Sequence, residues 1–161
     1  FEERKKELED YTALYQRIFQ TIPRGFRAPS HIIDDEGLKL LEEKGFFYDS
    51  SIVPHYPPFK KYRGYNGRKP QDIHFISGLL ESPVTGLMFG IPLAGAWISG
   101  LPVWFYRFLF LFRKRSYITL NMHSWDTLKP GFAQKLEEII KILKKNNYQF
   151  LNGEQILKNR Q

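Results

Sequence analysis

Leu8, Tyr11, Tyr15, Ile18 and Ile22 recur at spacings of three and four, which lays them along one face of a helix over roughly residues 2 to 20. Pro23 ends it. Gly25 to Ala28 reads as a short buried strand, and Asp34 is placed to cap a second helix running through Lys44, with Leu38, Leu40 and Leu41 facing inward. Gly45 closes that helix, and Phe46-Phe47-Tyr48-Asp49 makes the next strand. From Ser50 to Ser77 the periodicity disappears, and Pro54, Pro57, Pro58, Gly64, Gly67 and Pro70 predict irregular structure of a length that usually carries function. Leu79 to Thr85 and Leu87 to Ile91 are expected strands separated by Gly86. Pro102 sits in the first turn of an aromatic-rich helix reaching about Arg113, where Lys114 and Arg115 favour the helix dipole. Tyr117 to Met122 is β-prone and delivers His123 at its end. Phe132, Leu136, Ile139, Ile140 and Leu143 stripe a further helix, and Tyr148 to Leu151 starts a last strand. This alternation of strands and helices predicts a parallel α/β architecture, organised as a single domain over residues 1–161 with no internal repeat.

A chain of 161 residues with 42% hydrophobic content is long and apolar enough for one packed core, so a disordered chain is excluded. It opens on Phe1 rather than Met and enters a charged helix at once, so a fragment of a longer protein is expected. The absence of cysteine removes disulfides and thiolate metal sites, and any metal would need His, Asp or Glu ligands. The longest apolar stretch, Ile98 to Phe112, is broken by Gly100, Pro102 and Arg107 and falls short of the ~20 residues that span a bilayer. A spanning helix is not expected, and peripheral membrane contact stays open. The compartment is unknown, cytoplasmic or associated with the cell envelope. A net charge of +7 favours anionic partners in general without choosing among them.

Two short polar motifs carry the candidate chemistry: Gly25-Phe26-Arg27-Ala28-Pro29-Ser30 and Asn121-Met122-His123-Ser124-Trp125-Asp126. A cation, an imidazole and a hydroxyl brought to strand ends can converge in one cleft. His123 lies between a β-prone run and a polar turn, where an imidazole can donate or accept a proton, with Trp125 as an apolar wall and Asp126 as an acceptor for the ring N–H. Arg27, set among apolar residues, needs a carboxylate or phosphate partner if it is buried. Pro29 keeps Ala28 extended. Ile32-Ile33-Asp34-Asp35-Glu36-Gly37 echoes an acidic strand end, but it runs straight into an amphipathic helix, which favours capping over metal binding. The segment from His55 to Lys69 interleaves tyrosines and Phe59 with lysines and arginines, a pattern that suits single-stranded nucleic acid, a polysaccharide, or a plain solvated surface.

These motifs, with Tyr48-Asp49-Ser50-Ser51 between them, resemble the polysaccharide deacetylases, the NodB-homology enzymes of carbohydrate esterase family 4. Gly25 to Ser30 looks like that family's third motif and Leu120 to Trp125 like its fifth. Their order, together with Leu80-Glu81-Ser82-Pro83-Val84, looks like a subgroup associated with exopolysaccharide synthesis. The resemblance covers nearly the whole chain. It implies part of a distorted (β/α) barrel whose N-terminal strands are missing, and metal-dependent removal of N-acetyl groups from amino sugars. It implies further that His123 is the general acid, that Arg27 orients the catalytic base, and that Asp49 is a third catalytic candidate. Trp125, Pro29 and Tyr48 would face the sugar.

The sequence departs from that family in its base and metal motifs, and the family's fourth motif is not clearly present. Family members carry an Asp-Asp motif and a His-x-x-x-His motif ahead of Arg-x-Pro, and neither is present; His31, His55, His74 and His123 contain no i, i+4 pair. No metal is therefore expected on this chain alone, which makes it inactive by itself, while a divalent ion, zinc first, is expected in the full-length enzyme. The expected partner is an N-acetylated polysaccharide or oligosaccharide, with no nucleic acid. Open sheet edges would further call for self-association or pairing with a missing N-terminal segment. The alternative function is a catalytically inactive carbohydrate-binding or interaction module of the same fold. A serine hydrolase using Ser124 or Ser30 is weakened by the missing Gly-x-Ser-x-Gly elbow.

Overall fold

A computed structural model describes residues 2–54, 65, 70, 72–76, 78–86, 92–112 and 115–159. Helix α1 (Glu2–Phe19) stops where Gln20 turns to a positive φ of 56°, three residues ahead of Pro23. Strand β1 (Gly25–Phe26) follows, then a short 3-10 turn (Pro29–His31), and α2 (Asp35–Glu43), whose first turn is capped by the Asp34 carboxylate accepting from the Gly37 N–H at 2.8 Å. That cap settles the Asp34-Asp35 segment as a helix start. Leu38, Leu40 and Leu41 are all buried, each worth about 1.5–3 kcal/mol of transfer free energy. Gly45, at φ 80°, reverses the chain into β2 (Tyr48–Asp49).

Strands β3 (His74–Ile76) and β4 (Leu79–Glu81) complete a four-stranded sheet of order β1-β2-β4-β3. β1, β2 and β4 run parallel, with Gly25 opposite Tyr48, Phe26 opposite Asp49, and Asp49 opposite Glu81. β3 is antiparallel to β4, so the sheet is mixed rather than wholly parallel as the alternation predicts. It falls in the stretch where periodicity is lost, and three residues leave too short a run to show alternation. Backbone bonds continue past β4: Thr85 N–H donates to Thr119 O, Leu93 N–H to Thr85 O, and Asn121 N–H to Leu93 O. The segment that carries His123 is thereby tied to the sheet.

Helices α3 (Gly95–Gly100), α4 (Val103–Phe112), α5 (Phe132–Lys145) and α6 (Gly153–Lys158) follow. α3 escapes the sequence pattern because it is a six-residue helix bounded by glycines; Lys135 Nζ holds its carboxyl end by donating to Ser99 O and Leu101 O. Two expected strands do not form ladders. Within Tyr117 to Met122 only Asn121 makes a bridge, to Ala94, because the Thr119 N–H is taken by the Thr85 side chain. Tyr148 to Leu151 forms no ladder: the Tyr148 N–H donates back to Leu143 O at the end of α5, and the Tyr148 hydroxyl donates to Arg115 O and accepts from Arg115 N–H. The expected strand from Leu87 to Ile91 lies outside the described residues.

The core is in two parts. Leu8, Leu38, Leu41, Phe46, Ile52 and Leu79 pack between α1, α2 and one sheet face, while Leu93, Ile98, Tyr106, Phe132 and Ile139 join α3, α4 and α5. Not all of the aromatic run packs inward: Tyr106 and Phe110 are buried, whereas Trp104 and Phe108 are exposed. No helix among the described residues is long and apolar enough to cross a membrane.

Candidate active site

Three parallel strands end on the same side of the sheet, and the residues just beyond those ends meet one another. Arg27, following β1, directs Nε to Ser50 O at 2.9 Å, one terminal nitrogen to Asn121 Oδ1 at 2.7 Å and the other to Ser50 Oγ at 2.7 Å. Ser50 Oγ–H in turn donates to Ser82 O, beyond β4. The partners of Arg27 are thus neutral oxygens, and because part of the side chain stays exposed the condition that would require a carboxylate or phosphate is not met. Burial lowers its pKa, against the opposing fields of Asp49 and Glu81. A guanidinium stays charged regardless.

Asn121 is the junction between the two sequence motifs. Its amide nitrogen donates to His31 Nε2 at 3.0 Å, and His31 Nδ1 lies 3.2 Å from Ser51 O. A carbonyl only accepts, so Nδ1 carries the proton and Nε2 is left to accept from Asn121; the orientation of the Asn121 amide and the imidazole tautomer fix each other. Burial first, and the neighbouring Arg27 cation second, lower the His31 pKa. The imidazole is accordingly neutral, with both nitrogens engaged. Ser30 and His31 reach this position at φ 55° and 58°, left-handed conformations that cost non-glycine residues about 1–2 kcal/mol each.

Below this layer, Asp49 and Glu81 are both 0% exposed. Asp49 accepts from the Ser51 N–H at 2.9 Å and from Ser51 Oγ–H at 2.7 Å, and the same Ser51 Oγ accepts from the Ala28 N–H. Glu81 Oε1 accepts from the Ile52 N–H at 3.2 Å. Burial, reinforced by the adjacent Asp49, pushes the Glu81 pKa far up.

His123 starts a 3-10 turn (Ser124–Leu128), and its exposed ring stacks on Trp125 with centroids 4.2 Å apart and planes 10° from parallel. Asp126 does not accept from the imidazole. Its carboxylate takes the His123 backbone N–H at 2.9 Å and the Lys129 ammonium instead. Burial opposes its ionisation, but Lys129 and the His123 N–H outweigh that and lower its pKa. Asp126 also presses on Gly95, where a Cβ would fall 2.0 Å from Oδ2, so only glycine fits. Among the described residues neither Ser30 nor Ser124 hydrogen-bonds to the His123 ring.

Arg27, Asn121 and His31 therefore stand together, with His123 two residues beyond Asn121 and near enough for its charge to act on His31. Asp49 is sealed beneath them. Pro29 is exposed at the start of its 3-10 turn, and the half-buried Tyr48 ring rests on Gly25 and Gly153, where added Cβ atoms would come within 1.9 and 2.5 Å of it. Tyr48 lines, with Arg27, Ser50, Leu80 and Thr119, a cleft of about 820 Å³ between the sheet and α5. No group of three His, Asp or Glu among the described residues could hold a metal ion, and both His31 nitrogens are occupied, so these residues do not fit a zinc site. Within the His55 to Lys69 segment only Tyr65 is described, buried with its hydroxyl donating to Asp35. Sequence reasoning missed His31, Asn121 and Glu81. The signals were a histidine directly after the first motif, the amide that opens the second, and a carboxylate inside an apolar strand.

A 33-residue stretch, 20% of this chain, is 54% identical to the peptidoglycan deacetylase-like protein FGM2 of Gibberella zeae. The match spans 10% of that relative's length. No protein-family model and no solved structure matches the chain.

Proposed function

We propose that this chain is the C-terminal part of a polysaccharide deacetylase-like hydrolase that removes N-acetyl groups from amino sugars. The observation that carries the reading is the Arg27–Asn121–His31 junction, which unites the two family-like motifs across 94 residues at the carboxyl ends of parallel strands. The partial likeness to a deacetylase-like protein supports the same reading. Carbonyl, amide and hydroxyl partners hold Arg27 flat at the mouth, its remaining N–H groups available to a carboxylate base from outside the described residues. His123, its ring open to solvent and braced by Trp125, protonates the departing amine. The exposed Trp125 face forms the apolar wall beside it, with Pro29 and Tyr48 on the sugar side. The side-chain bond from Arg27, just beyond β1, to Asn121 supports an incomplete barrel formed as one domain. A base and metal ligands must come from elsewhere in the full-length protein, in which a divalent ion would supply water activation.

Acetate release from N-acetylated chito-oligosaccharides by the full-length protein tests this. His123→Ala should lower kcat by about 100-fold or more, the usual scale of general-acid catalysis, with unchanged melting. Retained turnover removes His123 from the role. A second reading, a carbohydrate-binding module without hydrolysis, draws on the 60% exposed Trp125 stacked on His123. Binding of the oligosaccharide without acetate release or zinc uptake would favour it.

A further inference from the structure

Glu81 takes no part in the chemistry just described, yet it is fully buried and stands opposite a second buried carboxylate. Register places it beside Asp49 on neighbouring parallel strands, ~4.8 Å apart, with both side chains shut off from water. Two carboxylates so placed cannot both carry charge. The hydrogen bonds decide which keeps the proton. Asp49 already receives two donors, both from Ser51. Glu81 Oε2, by contrast, is fully buried and receives no donor among the described residues, while the Asp49 carboxylate lies within hydrogen-bonding reach of the Glu81 side chain. A proton on that oxygen, directed at Asp49, removes the second charge and supplies the missing contact in one step. Other ionisable groups whose fields reach the pair are Arg27 beyond β1, His31 in the turn after it, and Tyr65.

We propose that Glu81 is a positioning residue that works as a neutral acid, donating to Asp49 and so pinning the Ser50–Ser51–Ile52 turn on which Arg27 and His31 are mounted. The linkage is continuous. Glu81 Oε1 holds the Ile52 N–H, Asp49 holds both donors of Ser51, Ser51 O holds His31, and Ser50 O and Oγ hold Arg27. Each member is anchored through the one below it, and the acid proton sits at the base. The proposal does not depend on which reaction, if any, the mouth performs.

A wild-type measurement tests it without any risk of misfolding. Carboxyl ¹³C spectra at pH 7 should show one buried side-chain carboxyl in the acid form, and that signal should vanish in Glu81→Gln. Glu81→Gln, whose amide can donate to Asp49 and accept from Ile52, should fold like wild type and keep the His31 Nδ1–H tautomer in ¹⁵N spectra. Glu81→Leu, matched in bulk but unable to donate, should lose that tautomer signature. The folded state holds a proton that the unfolded chain releases above the ordinary carboxylate range. Rising pH therefore favours unfolding, by about tenfold in the equilibrium constant per pH unit, relative to Glu81→Gln. An ionised Glu81 at pH 7, an identical pH slope in Glu81→Gln, or an unmoved His31 signature in Glu81→Leu overturns the proposal. Should the leucine variant fail to fold, the wild-type and glutamine spectra decide alone. None of these readouts uses turnover, so the hydrolase reading can fail while they stand.

Discussion

The bond between Arg27 and Asn121 offers the sharpest quantitative test, because it joins residues 94 positions apart at 2.7 Å and can be isolated by a double-mutant cycle. Arg27→Ala removes three directed hydrogen bonds from a charged donor. Such bonds contribute about 1.5–3 kcal/mol each when sheltered, but the outer face of Arg27 lets water replace part of the loss, so about 2–4 kcal/mol in total is expected. Asn121→Ala takes away the acceptor for Arg27 and the donor to His31 Nε2 at a position only 5% exposed, which costs about 2–3 kcal/mol. Since one bond is common to both losses, the double variant should be more stable than additivity implies by about 1–2 kcal/mol. Urea unfolding of the four proteins, with m-values compared to confirm a shared unfolding reaction, reads this directly. Lys141, ion-paired with Glu137 and Glu138 on α5, supplies a control partner that should show no coupling to Arg27. A coupling indistinguishable from that control would mean that the junction does not hold the two motifs together, and the site built upon it would fall.

Asp126 should make stability depend on acid. Its folded pKa lies below the unfolded value, so its contribution is complete above the ordinary aspartate range and is lost as pH falls through the folded value; Asp126→Asn should flatten that limb in a pH series of thermal melts, and an unchanged limb would contradict it. Gly25→Ala should destabilise the chain by about 1–3 kcal/mol, since the new Cβ would lie 1.9 Å from a Tyr48 ring that also rests on Gly153, and pairing it with Tyr48→Leu should recover part of the loss in the same unfolding assay.

Helices were legible wherever a stripe of apolar residues met a terminal signal: Asp34 and Gly45 bound α2 as the sequence implies, and α5 follows its stripe from Phe132 to Lys145. Strands were legible only as places. A strand of two residues has no period to read, and β1 and β2 were visible because Gly25-Phe26 and Tyr48-Asp49 sit between helix stops and polar turns. Tyr117 to Met122 has the composition of a strand but spends its hydrogen bonds on Thr85 and Leu93, a choice made by neighbours distant in sequence. The site divides in the same way. Arg27 stood out as a cation in apolar surroundings, but its partners could not be read, because Asn121 reaches it only through the whole intervening fold. His31 looked like one more histidine; what distinguishes it is a left-handed backbone that no composition announces.

The contacts that build the mouth have a kinetic consequence. Bonds spanning 90 and 94 residues require the segments from β1 through Asn121 to be in place before they can close. Their entropic cost grows only logarithmically with loop length, so equilibrium stability scarcely suffers, but contacts of such high sequence separation form late. The helices and the β1–β2 pairing can assemble from local segments, whereas Arg27, His31 and Asn121 meet at the end. A nascent or partly unfolded copy of this chain would thus be helical and compact while still lacking a mouth, and the first opening of the native state would dismantle the mouth before it loosened either core.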